Sequence, residues 1–250
     1  MALNPTLALG AGAAHSGTAS PGSFVTLESS LLSALAHMRS NPHDLERKPV
    51  DMIAALQAYI GSDGQGTGNK VSEHEACIAL VLEEKGFVRA PRGTVPTTDG
   101  LWYWYQLQGS QQAGDFFVFE VRDGVKRADR ILDAKHSNGV SIYLNDGTFE
   151  PGTIYIVSFT RCLDRIKGQR KKPREQVCFV GLGEEVFTEK DRNVMAAWRA
   201  ALRAMNAAGA DTDHLRVYAR SANQYSCARF TPEFTASCWE KMSASLGPSA

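Results

Sequence analysis

The stretch GSQQAGDFFVFEVRDGVKRADRILDAKHSNG, residues 109–139, decides how the chain is read. Two runs rich in aromatic and aliphatic side chains, Asp115–Val121 and Ala128–Lys135, flank Asp123-Gly124, a pair that favours the tight turn of a β-hairpin. The spacing predicts that Asp115 opens one strand and that Asp133-Ala134-Lys135 closes its antiparallel partner, 18 residues on. In such a hairpin the start of one strand lies beside the end of the next, so two carboxylates and an ammonium come together. Alternation along the strand puts Asp133 and Lys135 on one face, directed toward Asp115. By the same rule Glu120 points to the opposite face and stays outside this group.

Outward from the hairpin, LWYWYQL (101–107) reads as a further antiparallel strand. Alternation places Trp102 and Trp104 on one face and Tyr103 and Tyr105 on the other, a pattern of core packing rather than of base stacking. The segment SEHEACIALVLEEKGF (72–87) is a helix, opened by a Ser72–Glu75 capping box and stopped at Gly86. Apolar residues at helical spacing from Phe24 to Met38 and from Val50 to Ile60 predict an N-terminal helical subdomain over 24–69, ending in the glycine-rich loop GSDGQGTGN. That loop matches neither GxxxxGK[ST] nor GxGxxG. Residues 1–23, rich in Ala, Gly and Ser, read as a flexible leader without the basic and apolar regions of a secretory signal.

Downstream, a loop over 136–152 precedes two apolar strands, TIYIVSF (153–159) and QVCFVGL (176–182). Thr188 with Asp191 caps a helix running to about Ala208, in which Val194, Trp198, Ala201, Leu202 and Met205 share one face. HLRVYAR (214–220) is a last strand candidate, and no internal repeat is visible. The expected fold class is α/β, with a main unit over 70–250.

With 27 basic and 27 acidic side chains the net charge is zero, so a polyanionic partner must be met by local clustering. Residues 161–175 provide it: Arg161, Arg165, Lys167, Arg170, Lys171, Lys172 and Arg174 hold seven of the 27 basic groups. The five cysteines contain no CxxC pair and fit no complete disulfide framework, which predicts reduced thiols in a cytoplasmic protein. His74, His136 and His214 lack zinc spacing with cysteine. No apolar run is long enough to span a bilayer.

Paired carboxylates beside a lysine suit phosphodiester cleavage. Two like charges sharing a site repel, and a hard cation such as Mg²⁺ relieves the conflict, polarises the phosphate and acidifies a bound water. Lys135 would orient that water and stabilise developing negative charge. Gly114-Asp115 followed by Asp133-Ala134-Lys135 resembles the PD-(D/E)XK nuclease signature, with Gly114 in place of the usual proline. The flanking YQLQGSQQAGDFFVF, ILDAKHSNG and YLNDGTFEPGTIYIVSF are similar to the corresponding stretch of several type II restriction endonucleases, over residues 70–160.

The resemblance implies a restriction-endonuclease-like mixed sheet flanked by helices in αβββαβ order, although no helix is evident in 136–152 where one is expected. It implies catalytic Asp115, Asp133 and Lys135, Mg²⁺ held by Asp115 and Asp133, and a helical glutamate, best matched by Glu75 with Glu73 as alternative. Glu75 is also the helix cap. It further implies hydrolysis of double-stranded DNA at a specific sequence and a companion DNA methyltransferase. Two strands cut at a palindromic site favour a homodimer. Ser137 and Asn138, leaving the site, can bond phosphates or base edges and are equally ordinary turn residues. Arg165, Lys167, Arg170, Lys171 and Lys172 are assigned to DNA phosphates, and Asn223–Ser226 is a second candidate for base readout. ILDAK also resembles nuclease subunits of modification-dependent systems, so that a modification-dependent or repair nuclease of the same superfamily is the alternative. A non-catalytic DNA-binding protein is the reading from another class.

Overall fold

The computed structural model describes residues 26–61, 70–107, 114–139, 141–145, 148–159, 177–208 and 222–247. The leader, the basic segment 161–175 with Arg165, Lys167, Arg170, Lys171 and Lys172, and the strand candidate 214–220 lie outside them.

Two helices come first, α1 (Leu27–Ser40) and α2 (Val50–Gly61). Thr26 caps α1 by accepting from the Ser29 N–H. Helix α3 (Glu73–Glu84) carries the expected capping box, with reciprocal Ser72 and Glu75 bonds, and the chain turns out of it at Gly86, φ 89°. Then follow β1 (Phe87–Arg89), β2 (Gly100–Tyr105), β3 (Phe116–Arg122) and β4 (Val125–Ser137). The β3–β4 turn is the expected one, since Asp123 and Gly124 both hold positive φ, 52° and 69°.

After β4 come β5 (Ser141–Asn145), β6 (Thr153–Phe159), β7 (Val177–Leu182), the short α4 (Gly183–Val186), α5 (Glu189–Ala208), β8 (Ala222–Ser226) and α6 (Pro232–Leu246). Six strands form one mixed sheet in the order β1-β2-β3-β4-β6-β7. β2, β3 and β4 are mutually antiparallel, as are β6 and β7, whereas β1 runs parallel to β2 and β6 parallel to β4. The chain is thus α/β, a mixed sheet flanked by helices. Between β4 and β6 the described residues hold a strand, not a helix: β5 leaves the main sheet and pairs antiparallel with β8.

Both sheet faces are covered, so β6, at the middle of the packing, is buried at all seven positions, as its unbroken apolar run requires. On one face Tyr103, Tyr105, Phe116, Val118, Leu132 and Ile156 pack against Leu31 and Leu35 of α1, Leu56 of α2 and Ile78 of α3. The N-terminal helices therefore share the sheet's core. Each such side chain, fully withdrawn from water, contributes about 1.5–3 kcal/mol. On the other face Tyr155, Val157 and Phe179 meet Ile142 of β5 and Tyr225 of β8, and Trp104 with Phe119 and Val121 forms a smaller cluster. The four cysteines among the described residues, Cys77, Cys178, Cys227 and Cys238, are buried and free. No described helix is long and apolar enough to cross a membrane.

Candidate active site

Asp115 and the Asp133–Lys135 segment meet where β3 begins and β4 nears its end. The register sets Phe116 opposite Leu132, which leaves Asp115 beside Asp133 and Ala134. Its backbone N–H donates to the Leu132 carbonyl at 2.9 Å, and its Oδ2 accepts from the Ala134 N–H at 2.8 Å. In return the Gly114 N–H donates to Asp133 Oδ2 at 3.4 Å. The two acidic segments are laced to each other through backbone donors, so their carboxylates are held rather than swung free.

Alternation works as the pattern requires. Leu132 and Ala134 turn toward the helical core, while Asp133 and Lys135 turn together to the opposite face, and the Lys135 ammonium pairs with Asp133 Oδ1. The same ammonium lies 6.0 Å from the centre of the Tyr155 ring on neighbouring β6. Asp133 is buried and Lys135 partly so.

Gly114 makes this approach possible. Its φ of +100° is open to glycine but strained for other residues, and a Cβ there would lie 2.5 Å from Ile131 Cγ2.

The electrostatics follow from the crowding. Burial pushes the Asp115 carboxyl up to about 7, helped by the negative charges of Asp133 and Glu75 and opposed by Lys135 and the Ala134 N–H. Glu75 takes part from the far side: its Oε2 accepts from the Ser72 N–H at 2.9 Å and from the Tyr105 hydroxyl at 2.9 Å. It is both the cap of α3 and a charge felt at Asp115. Glu73 instead faces Lys48, 3.6 Å away.

Beyond Lys135 the chain borders an open cleft of about 520 Å³ lined by Ser72, His74, Lys135, His136, Ser137 and Asn138, among others. Ser137 is engaged in the turn into β5, its hydroxyl donating to the Ser141 carbonyl at 2.6 Å and accepting from the Gly139 N–H at 3.1 Å. Asn138 is exposed. Asn223–Ser226 forms β8, whose Tyr225 is buried in the second core.

Sequence patterns did not mark His74 and Ser158. The buried His74 ring stacks on His136 with centroids 5.2 Å apart, and Ser158 Oγ lies 3.1 Å from His74 Nδ1. Burial, with a smaller push from His136, lowers His74 to about 4, so it is neutral near pH 7. Its partner is 84 residues away, beyond the reach of any local pattern. Tyr105 had a partial signal: strand alternation set it on one face with Tyr103, and the fold turns that face toward the helices.

Among the described residues no group of three or more His, Cys, Asp or Glu is gathered closely enough to hold a metal ion. Asp115 and Asp133 form a pair of hard oxygen donors, and the Asp115 carboxyl is raised first by burial and then by the charges of Asp133 and Glu75. The donor set therefore fits a hard divalent cation. No protein-family model matches the chain, and no curated protein or solved structure matches it either.

Proposed function

We propose that the chain is a Mg²⁺-dependent nuclease of the PD-(D/E)XK kind with a restriction-endonuclease-like core, acting as a type II restriction endonuclease on double-stranded DNA. The observation that carries this reading is the lacing of Asp115 to Ala134, the residue between Asp133 and Lys135, at 2.8 Å. It gathers two carboxylates and an ammonium at one strand end, where Lys135 also lines an open cleft.

Asp115 and Asp133 would hold the metal. When bound, Mg²⁺ supplies charge neutralisation at the scissile phosphate and a water of lowered pKa. The chain's own groups do the rest. The backbone N–H of Ala134 fixes the Asp115 carboxylate, and that of Gly114 steadies Asp133. Lys135, paired with Asp133 here, would be the ammonium at hand for a phosphate oxygen or the attacking water. Glu75, fixed by Ser72 and Tyr105, adds negative charge behind Asp115 and strengthens the preference for a cation. Ser137 and Asn138, together with the basic residues of 161–175, are assigned to DNA contact.

The deciding experiment is incubation of the purified chain with long unmodified DNA and Mg²⁺, followed by sequencing of fragment ends. Discrete fragments with 5′-phosphate ends are expected, with Mn²⁺ substituting and EDTA stopping the reaction. Cleavage that persists undiminished in EDTA, or intact DNA under every metal tried, removes the nuclease reading. Cutting confined to methylated DNA transfers the chain to the modification-dependent class.

A further inference from the structure

Just past the end of β2, Gln106 is only 5% exposed and leaves the strand conformation. Its N–H donates to the Asp115 carbonyl at 2.7 Å, which extends the β2–β3 pairing by one step and sets the residue beside the candidate active site. Its φ is +44°, a left-handed angle that a residue with a side chain rarely adopts. Arg92 holds the turn, Nη2 donating to the Gln106 carbonyl at 3.0 Å and to the Leu107 carbonyl at 3.4 Å. Strain of this kind persists only where the surroundings enforce it.

That angle decides where the carboxamide goes. Successive residues of a regular strand point to opposite faces, so a strand-like residue 106 would turn its side chain away from that of Tyr105. Here Nε2 instead donates to the Tyr105 hydroxyl at 3.1 Å, and that hydroxyl donates to Glu75 Oε2 at 2.9 Å. Burial, reinforced by Glu75, pushes the Tyr105 phenol far up, so it keeps its proton and the direction of both bonds is fixed. One donor chain thus runs from Gln106 through Tyr105 to Glu75, whose charge is felt at Asp115. The amide nitrogen is committed to that chain, and Oε1 is left buried with no hydrogen-bond partner among the described residues. An amide oxygen withdrawn from water requires a donor.

Chemistry narrows what that donor is. A phosphodiester presents acceptors only, and the Lys135 ammonium is paired with Asp133. Water around a hard cation turns its hydrogens outward, and Mg²⁺ bound through one or two carboxylates keeps several such waters. We propose that Gln106 is a positioning residue of the metal site, its Oε1 accepting from a water in the hydration shell of the cation held by Asp115 and Asp133. This inference rests on the metal site of the proposed function. Groups in such an outer position orient what the direct ligands hold, and their loss weakens metal binding.

Calorimetric titration of the full chain with Ca²⁺, which also takes oxygen ligands, reads the site without DNA or turnover. Gln106→Leu fills the same space without the oxygen, and Gln106→Gly suits the backbone angle and guards against a variant that fails to fold. Each is expected to bind Ca²⁺ about tenfold more weakly than the wild type. Gln106→Glu restores an oxygen acceptor and should recover most of that loss, although it gives up the bond donated to Tyr105. A residue that merely braces Tyr105 predicts the reverse, with Gln106→Glu as damaging as Gln106→Leu. Wild-type affinity in Gln106→Leu and Gln106→Gly, or no recovery in Gln106→Glu, overturns the proposal and leaves the metal site standing. A wild type that takes up no Ca²⁺ removes the metal site itself, and the proposal with it.

Discussion

Two carboxylates, five positions apart at the two ends of β3, are treated in opposite ways. Glu120, buried near the end of β3, accepts from the Leu27 N–H at 3.1 Å and pairs with the Arg122 guanidinium. It ties the first turn of α1 to the sheet. Asp115, just before β3, has one backbone N–H, and the other charges that bear on it are those of Asp133, Glu75 and Lys135. A buried carboxylate provided with donors is a brace, whereas one set among other acids is left short of positive charge. The strand's two ends thus divide into a structural and a chemical half.

The sharpest way to break this comparison is at Asp133. Under the proposed function, Asp133→Ala lowers Mg²⁺-dependent cleavage by roughly a thousandfold or more while leaving specific DNA binding and the fold in place. The readings are initial cleavage rates, a gel-shift titration and a melting curve. An unfolded variant would make Asp133 a brace like Glu120, and a wild-type rate would remove it from the site. Lys135→Ala should abolish cleavage as well and, by leaving two acids uncompensated, lower the metal-free melting temperature.

A pH series sharpens the comparison next. The folded Asp115 carboxyl, at about 7, lies above its ordinary value of 3.8. Between those values the folded chain keeps a proton that the unfolded chain has released, so stability falls as pH rises from about 4 to about 7 and is level above. Asp115→Asn removes that slope and should stabilise the metal-free protein near pH 8 by on the order of 2 kcal/mol, allowing for solvent screening. Urea unfolding of both proteins at about pH 5 and about pH 8 measures it. Parallel profiles for the two would show that Asp115 is not crowded by acids.

Glu120→Ala acts in the opposite direction. Leaving the Leu27 N–H without its buried acceptor costs about 2 kcal/mol, with cleavage per folded molecule unchanged. A stability within error of wild type would deny the brace. The smallest effect belongs to the basic segment: neutralising Lys171 and Lys172 should weaken binding to all DNA sequences alike and reduce the salt slope by up to about two units. A slope that does not move places the segment off the DNA.

Local signals carried much of the architecture. The Asp123-Gly124 turn, the Ser72–Glu75 box and the cap at Thr188 each involve groups within three residues of one another, so their partners were already visible in the chain. The approach of Asp115 to the Asp133–Lys135 segment was legible in outline from the hairpin, whereas the register shift between Glu120 and Val121, which sets Phe116 opposite Leu132 rather than Ile131, was not. Three-residue β1 was not, being too short to show alternation and paired in parallel across a loop. The β5–β8 sheet was not either, since Ser141 pairs with Ser226 and no local pattern reaches that far. Glu120 could be assigned a face, but its tie to Leu27 spans 93 residues. For α5 the apolar stripe was plain, and only the fold reveals that it faces outward.

Gly114 has a bearing on how this hairpin can be transplanted. Proline is locked near a φ of about −65°, far from the +100° held here, and even an alanine Cβ would meet Ile131. Proline is therefore not accommodated at position 114 by a single substitution, because both the backbone angle and the Ile131 side chain would have to move. Anyone grafting residues 114–135 onto another scaffold must move Gly114 and Ile131 as one unit.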